Sequence, residues 1–254
     1  AGHTLGTPDH TVPQAIDLFR AAGLDAAEVI YQNDYKSGLP LGDRRAAMEA
    51  LKAAENAGIP IVGLTPYTTA INSLDDAEWR AAVDEFRGAI ETAHLLGADR
   101  VRVYAGSWHP GDNDHAARWV KLRQALETLA PEAGQAGVRL CVENHFGTMT
   151  QTAADTAALV REIAHPAVRV LYDQANLTFT HDEKYEEAFA VQGDLYATTL
   201  YGDGSNLTGL SGGTKWVYAN NYGASTLTTS TIPVWIQQAL YASSTIKAGD
   251  TTTT

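Results

Sequence analysis

Six short β-branched runs alternate with long alanine-rich segments through the first three-quarters of this chain, and that alternation constrains the fold more than any single motif. The runs are His3–Gly6, Ala27–Tyr31, Pro60–Leu64, Arg100–Tyr104, Arg139–Glu143 and Val168–Tyr172. The segments near Pro13–Ala22, Asp43–Ala57, Asp75–Leu96, Asp114–Ala136 and Ala153–His165 carry apolar residues at helical spacing, and a sixth helix is expected near Glu183–Ala190. Pro13 suits a first helical turn, Ser73 with Asp75-Asp76 suits a helix start, and Gly23, Gly58, Gly97 and Gly137 fall where helices should stop. Strand-helix repeats of this kind force a parallel sheet with right-handed crossovers. With no dinucleotide glycine fingerprint, the pattern predicts an α/β fold of the (β/α) TIM-barrel type rather than a doubly wound sheet.

Composition adds limits. A chain of 254 residues, 44% hydrophobic, can bury one barrel-sized core or two ordinary ones. Its formal charge of −12 repels nucleic-acid phosphate and anionic lipid, so a small neutral molecule is the expected partner, with no nucleic acid and no membrane. Cys141 is the single cysteine and lies in an apolar run, as a core thiol in a reducing compartment would. The start Ala1-Gly2-His3 has no basic region followed by an apolar one, and a cytoplasmic protein is expected.

The composition breaks near Tyr196. Beyond it the only charged residues are Asp203, Lys215, Lys247 and Asp250, with 13 threonines, no arginine and no glutamate. The chain therefore reads as an incomplete barrel, residues 1–195, joined to a low-charge Thr/Gly-rich tail, residues 196–254, that is β-rich or partly disordered and of different origin, as in a chimera. Within the tail, Lys215–Tyr218 and Ser225–Thr228 alternate as strand pieces, Pro233–Ser243 suits an amphipathic helix, and Tyr196–Tyr201 could pair as a seventh strand.

In barrels of parallel strands, chemistry sits at the C-terminal strand ends. The run Arg139–Val142 ends in Glu143-Asn144-His145, and Val168–Tyr172 ends in Asp173-Gln174-Ala175-Asn176. Neighbouring strands lie about 4.8 Å apart, so both carboxylates can converge on one divalent cation. They can equally cap helices or solvate loops, and spacing alone leaves both readings open.

The stretches Val142-Glu143-Asn144-His145-Phe146-Gly147-Thr148 and Tyr172-Asp173-Gln174-Ala175-Asn176-Leu177 resemble the fifth- and sixth-strand signatures of the sugar-phosphate isomerase/epimerase superfamily, the xylose-isomerase-like barrels. The likeness extends from His3-Thr4-Leu5-Gly6 to Gly193-Asp194-Leu195. It implies metal ligation by Glu143 and Asp173, an Mg²⁺ or Mn²⁺ cofactor, and a sugar substrate. Ketose oxygens chelated to such a cation acidify the C–H between them, and a carboxylate, here Glu143, removes that proton to give an enediolate. Relatives complete the metal site with a seventh-strand histidine and an eighth-strand glutamate that also serves as second acid/base. No histidine or glutamate follows Leu195, so half the ligand set is written here. Asn176 stands where many relatives place a substrate-contacting histidine.

Further substrate-binding candidates are His145, Trp108, His109 and Glu28. Glu28 interrupts an apolar strand, where an inward carboxylate either serves the site or pairs with Arg102, and the pair is the preferred reading. Tyr67 is expected at the rim of the pocket, and His181 in solvent. Two other function classes compete with a metal-dependent sugar isomerase. One is a structural or assembly protein, a homo-oligomer associating through open barrel edges or through a tail whose Gly202–Leu210 run is similar to phage fibre segments. The other is a phosphodiester-cleaving metalloenzyme, which the negative charge disfavours.

Overall fold

The six expected strand runs form one parallel sheet because each of the first five is followed by a helix long enough to return the chain to the same sheet end. In the computed structural model the strands are β1 (Gly2–His3), β2 (Ala27–Tyr31), β3 (Ile61–Pro66), β4 (Arg100–Val103), β5 (Arg139–Glu143) and β6 (Val168–Leu171). They pair in chain order, all parallel, and a two-residue strand, Gly38–Leu39, adds to the end of β2. The helices are α1 (Val12–Ala21), α2 (Arg44–Ala57), α3 (Asp76–Leu96), α4 (His115–Gln135), α5 (Ala153–Ile163) and the short α6 (Leu177–Thr180). The structure describes residues 1–180, 216–221 and 224–229. The expected helix Glu183–Ala190, strand Tyr196–Tyr201 and helix Pro233–Ser243, and His181, lie outside them.

Side chains set the helix ends. Asp75 Oδ1 accepts from the backbone N–H of Ala77 at 2.9 Å and of Glu78 at 3.0 Å, and Asp43 Oδ1 accepts from Ala46 at 3.0 Å. Gly58 and Gly97 end α2 and α3 at φ of 69° and 72°, a region an L-residue with Cβ enters at a cost, and β3 and β4 begin three residues later. The core lies between sheet and helices. Val29, Leu64, Val101, Val103, Leu140, Val142 and Val168 meet Ile16, Phe86, Leu122, Leu126 and Leu129, all buried.

One strand expectation is corrected. His3–Gly6 is extended only at its first residue, and Thr4–Gly6 forms a 3₁₀ turn. The His3 ring accepts from the Leu5 N–H at 3.0 Å, and the Thr4 hydroxyl accepts from the Ile30 N–H at 3.0 Å, so side chains take hydrogen bonds a continued strand would have given its backbone.

The chain divides into two units, Ala1–Leu195 and Tyr196–Thr254. In the second, Trp216–Asn221 and Ala224–Thr229 pair antiparallel, from Trp216 opposite Thr229 to Asn221 opposite Ala224. Among the described residues no helix is long and apolar enough to cross a membrane.

Candidate active site

Glu143 is the last residue of β5, paired in register with Leu171, which ends β6 two residues before Asp173. Asn144 fixes the second strand's exit: its side-chain oxygen accepts from the Asp173 N–H at 2.7 Å and its amide donates to the Asp173 carbonyl at 2.8 Å. Asp173 Oδ1 in turn accepts from the Ala175 N–H at 2.8 Å. Asn176, also buried, donates to the Asn144 carbonyl at 3.0 Å and lies 3.5 Å from Glu143 Oε1. The two carboxyl groups are thereby held side by side at adjacent strand ends.

Burial pushes the Glu143 carboxyl up to about 7; the Arg102 guanidinium opposes that shift, and the neighbouring Asp173 adds to it. Its Oε2 is buried and has no hydrogen-bond partner, although Arg102 Nη1 lies 3.5 Å away. The pairing expected between Glu28 and Arg102 is thus corrected. Arg102 points along β4 toward the strand's C-terminal end, its Nη2 donates to the Pro66 carbonyl at 2.8 Å, and its partner is Glu143. Tyr67 and Tyr104 flank the guanidinium, their ring centroids 4.4 and 4.0 Å from its carbon.

These groups line a cavity of about 520 Å³ at the C-terminal ends of the strands. Glu28, half-buried on β2, reaches its wall, as do His145 and Tyr67. The His145 ring has a fixed polarity: Nδ1 lies 2.6 Å from the Phe146 carbonyl, which can only accept, so Nδ1 carries the proton and Nε2 accepts from the Tyr104 hydroxyl at 3.3 Å. His3 has the opposite arrangement, with Nε2 donating to the Thr65 hydroxyl at 3.0 Å while Nδ1 accepts from Leu5. Burial lowers the pKa of both rings.

Three sequence candidates lie off the cavity wall. Trp108 packs edge-on against His115, with ring centroids 4.8 Å apart, and its backbone N–H donates to the Gly147 carbonyl at 2.9 Å. His109 is exposed on the same loop and contacts the Ser107 hydroxyl at 3.3 Å, and Asn176 braces Glu143 and Asn144 from behind. His3, Thr65 and Tyr104 line the cavity but were missed by sequence reasoning. They stand at or next to the C-terminal ends of β1, β3 and β4, so applying the strand-end rule to every strand, beyond the acidic residues, would have found them.

Two adjacent carboxyls, the buried Glu143 with an unbonded oxygen and the half-buried Asp173, are hard oxygen donors that fit a cation of the Mg²⁺ or Mn²⁺ class. Among the described residues no third His, Cys, Asp or Glu joins them in a metal-type cluster. What the described residues form is a half-site.

A family model described as a xylose isomerase-like TIM barrel matches residues 16–202. Comparison with curated proteins finds no match. Among solved structures, the chain is similar to a 3-keto-D-glucoside 4-epimerase from E. coli, at 15% identity and a TM-score of 0.60, covering 72% of this chain and 70% of that one. A D-allulose 3-epimerase from Methylomonas sp. in complex with D-allulose gives 17% and 0.63 over 76% and 67%. A xylose isomerase-like TIM barrel protein from Mycobacterium smegmatis in complex with magnesium gives 18% and 0.62 over 76% and 70%. At these identities the likeness is one of fold.

Proposed function

The chain belongs to the xylose isomerase-like TIM barrel family, and from that premise we propose that it is a divalent-metal-dependent isomerase or epimerase acting on a sugar. The observation that carries this reading is the Glu143–Asp173 pair, with the unbonded Glu143 Oε2 at the wall of a cavity at the strand ends. Two neighbouring carboxylates in a low-dielectric site repel each other, and a bound cation relieves that repulsion. Glu143 and Asp173 would hold Mg²⁺ or Mn²⁺, which when bound supplies Lewis acidity to adjacent sugar oxygens.

The chain's own residues supply the rest. Glu143, at the end of β5 on the cavity wall, is placed to take the sugar's C–H proton and return it. The Tyr104 hydroxyl and His145, fixed by their mutual hydrogen bond, and Glu28 across the cavity would orient sugar hydroxyls. Asn144 and Asn176 keep the two strand ends in place.

The test is incubation of the Mn²⁺-loaded full chain with D-allulose or D-fructose in D₂O, followed by NMR. Deuterium entering the carbon next to the carbonyl, and absent with Glu143→Gln, is the expected result; no exchange from either ketose in the loaded chain would contradict the reading. A second reading, assembly through the tail, rests on the hairpin, each strand of which pairs with one neighbour among the described residues and so offers an edge to another chain. An oligomer that becomes monomeric when the chain ends at Leu195 would favour it, and an unchanged state would count against it.

A further inference from the structure

We propose that the cavity selects uncharged sugars and rejects phosphorylated or carboxylated ones. The inference rests on the sugar-isomerase reading above and narrows its substrate class. Recognition of a phosphate or carboxylate needs a cation with donors free to receive it, and a guanidinium does this best as an open fork. Among the described residues Arg102 is the only arginine or lysine on the cavity wall. Little of it is open to a ligand, since Arg102 is 9% exposed. Nη1 faces Glu143 Oε2, Nη2 donates to the Pro66 carbonyl, the Tyr67 and Tyr104 rings pack against the guanidinium, and Nε is buried, out of reach of a ligand in the cavity. Arg100, two residues before Arg102 on β4, is paired with Asp99 Oδ1 at 2.7 Å and lies off the cavity wall.

Against that single guanidinium, the wall carries three carboxyl groups among the described residues, those of Glu28, Glu143 and Asp173. A divalent cation adds two positive charges to the one of Arg102, which offsets the three carboxylates and leaves no surplus to draw an anion. An anionic sugar would bring a negative charge that no free cation of the described wall offsets. Neutral hydroxyls find matching partners: the Thr65 and Tyr104 hydroxyls, the two rings of His3 and His145, and the Gln174 amide all reach the wall. The tyrosine rings beside Arg102 offer flat surfaces for sugar C–H groups.

The experiment compares binding of D-allulose and D-fructose with that of their 6-phosphates to the Mg²⁺-loaded full chain by calorimetry, and of inorganic phosphate to the metal-free chain by ³¹P line width. The expected result is that each free ketose binds at least tenfold more tightly than its phosphate, with no phosphate broadening. A 6-phosphate that binds as well as or better than its free sugar overturns the proposal, as does phosphate broadening that Arg102→Lys abolishes. If no sugar of either kind binds, the isomerase reading fails. Exclusion of anions is then decided by inorganic phosphate alone, which supports the proposal when unbound and overturns it when bound in an Arg102-dependent way.

Discussion

Glu143 concentrates the chemistry and the cost of this site in one side chain. In the folded, metal-free chain its carboxyl is held near 7 against an ordinary value of 4.5. It therefore keeps its proton more tightly folded than unfolded. Its share of stability is whole below pH 4.5 and is lost as the pH rises through 7. At about 1.4 kcal/mol per unit, that share is on the order of 3 kcal/mol. Thermal melts of the metal-free chain should show stability falling across this window, and Glu143→Gln, which cannot ionise, should flatten the fall. A wild-type profile as flat as that of the variant would refute the assignment. Cys141 gives a simpler test: burial pushes its thiol up to about 11, so at pH 8 a disulfide reagent should label the native chain far more slowly than the urea-unfolded one.

At the scale of elements, the helices were legible because their signals are local. Asp75, Gly58 and Gly97 mark helix ends in sequence and do so in the structure through one cap carboxylate and two left-handed turns. Asp75→Ala should lower stability by about 1 kcal/mol, readable in urea melts, because the Ala77 and Glu78 N–H groups lose their acceptor. Leu126→Ala, in the buried face of α4, should cost about 2–5 kcal/mol. What sequence could not show was lateral. Ala27–Tyr31 was read with its observed bounds, yet the partner of its Glu28 was misjudged, because which inward side chains meet depends on strand stagger and side-chain reach. Arg102 extends toward the strand ends and meets Glu143 there, where the distance is 3.5 Å. The turn at Thr4–Gly6 was missed for a related reason, since the Thr4 hydroxyl finds its partner on β2, 26 residues away.

Across the whole molecule, the strand-helix alternation was enough to predict the parallel α/β fold, and the Glu143 and Asp173 strand ends were enough to point to the family that the match over residues 16–202 shows. The acidic half of the candidate site was therefore visible in sequence. Its hydroxyl and ring donors at the ends of β1, β3 and β4 were not, because His3, Thr65 and Tyr104 carry no motif and gain meaning only from the cavity they share. The proposed function stands on a cation held by Glu143 and Asp173. Its most direct test is elemental analysis of the full chain after Mn²⁺ loading and desalting, beside Glu143→Ala. About one retained ion per chain, lost in the variant, is the expected result; no retained ion in the wild-type chain, or equal retention in both, would contradict the proposed cation site.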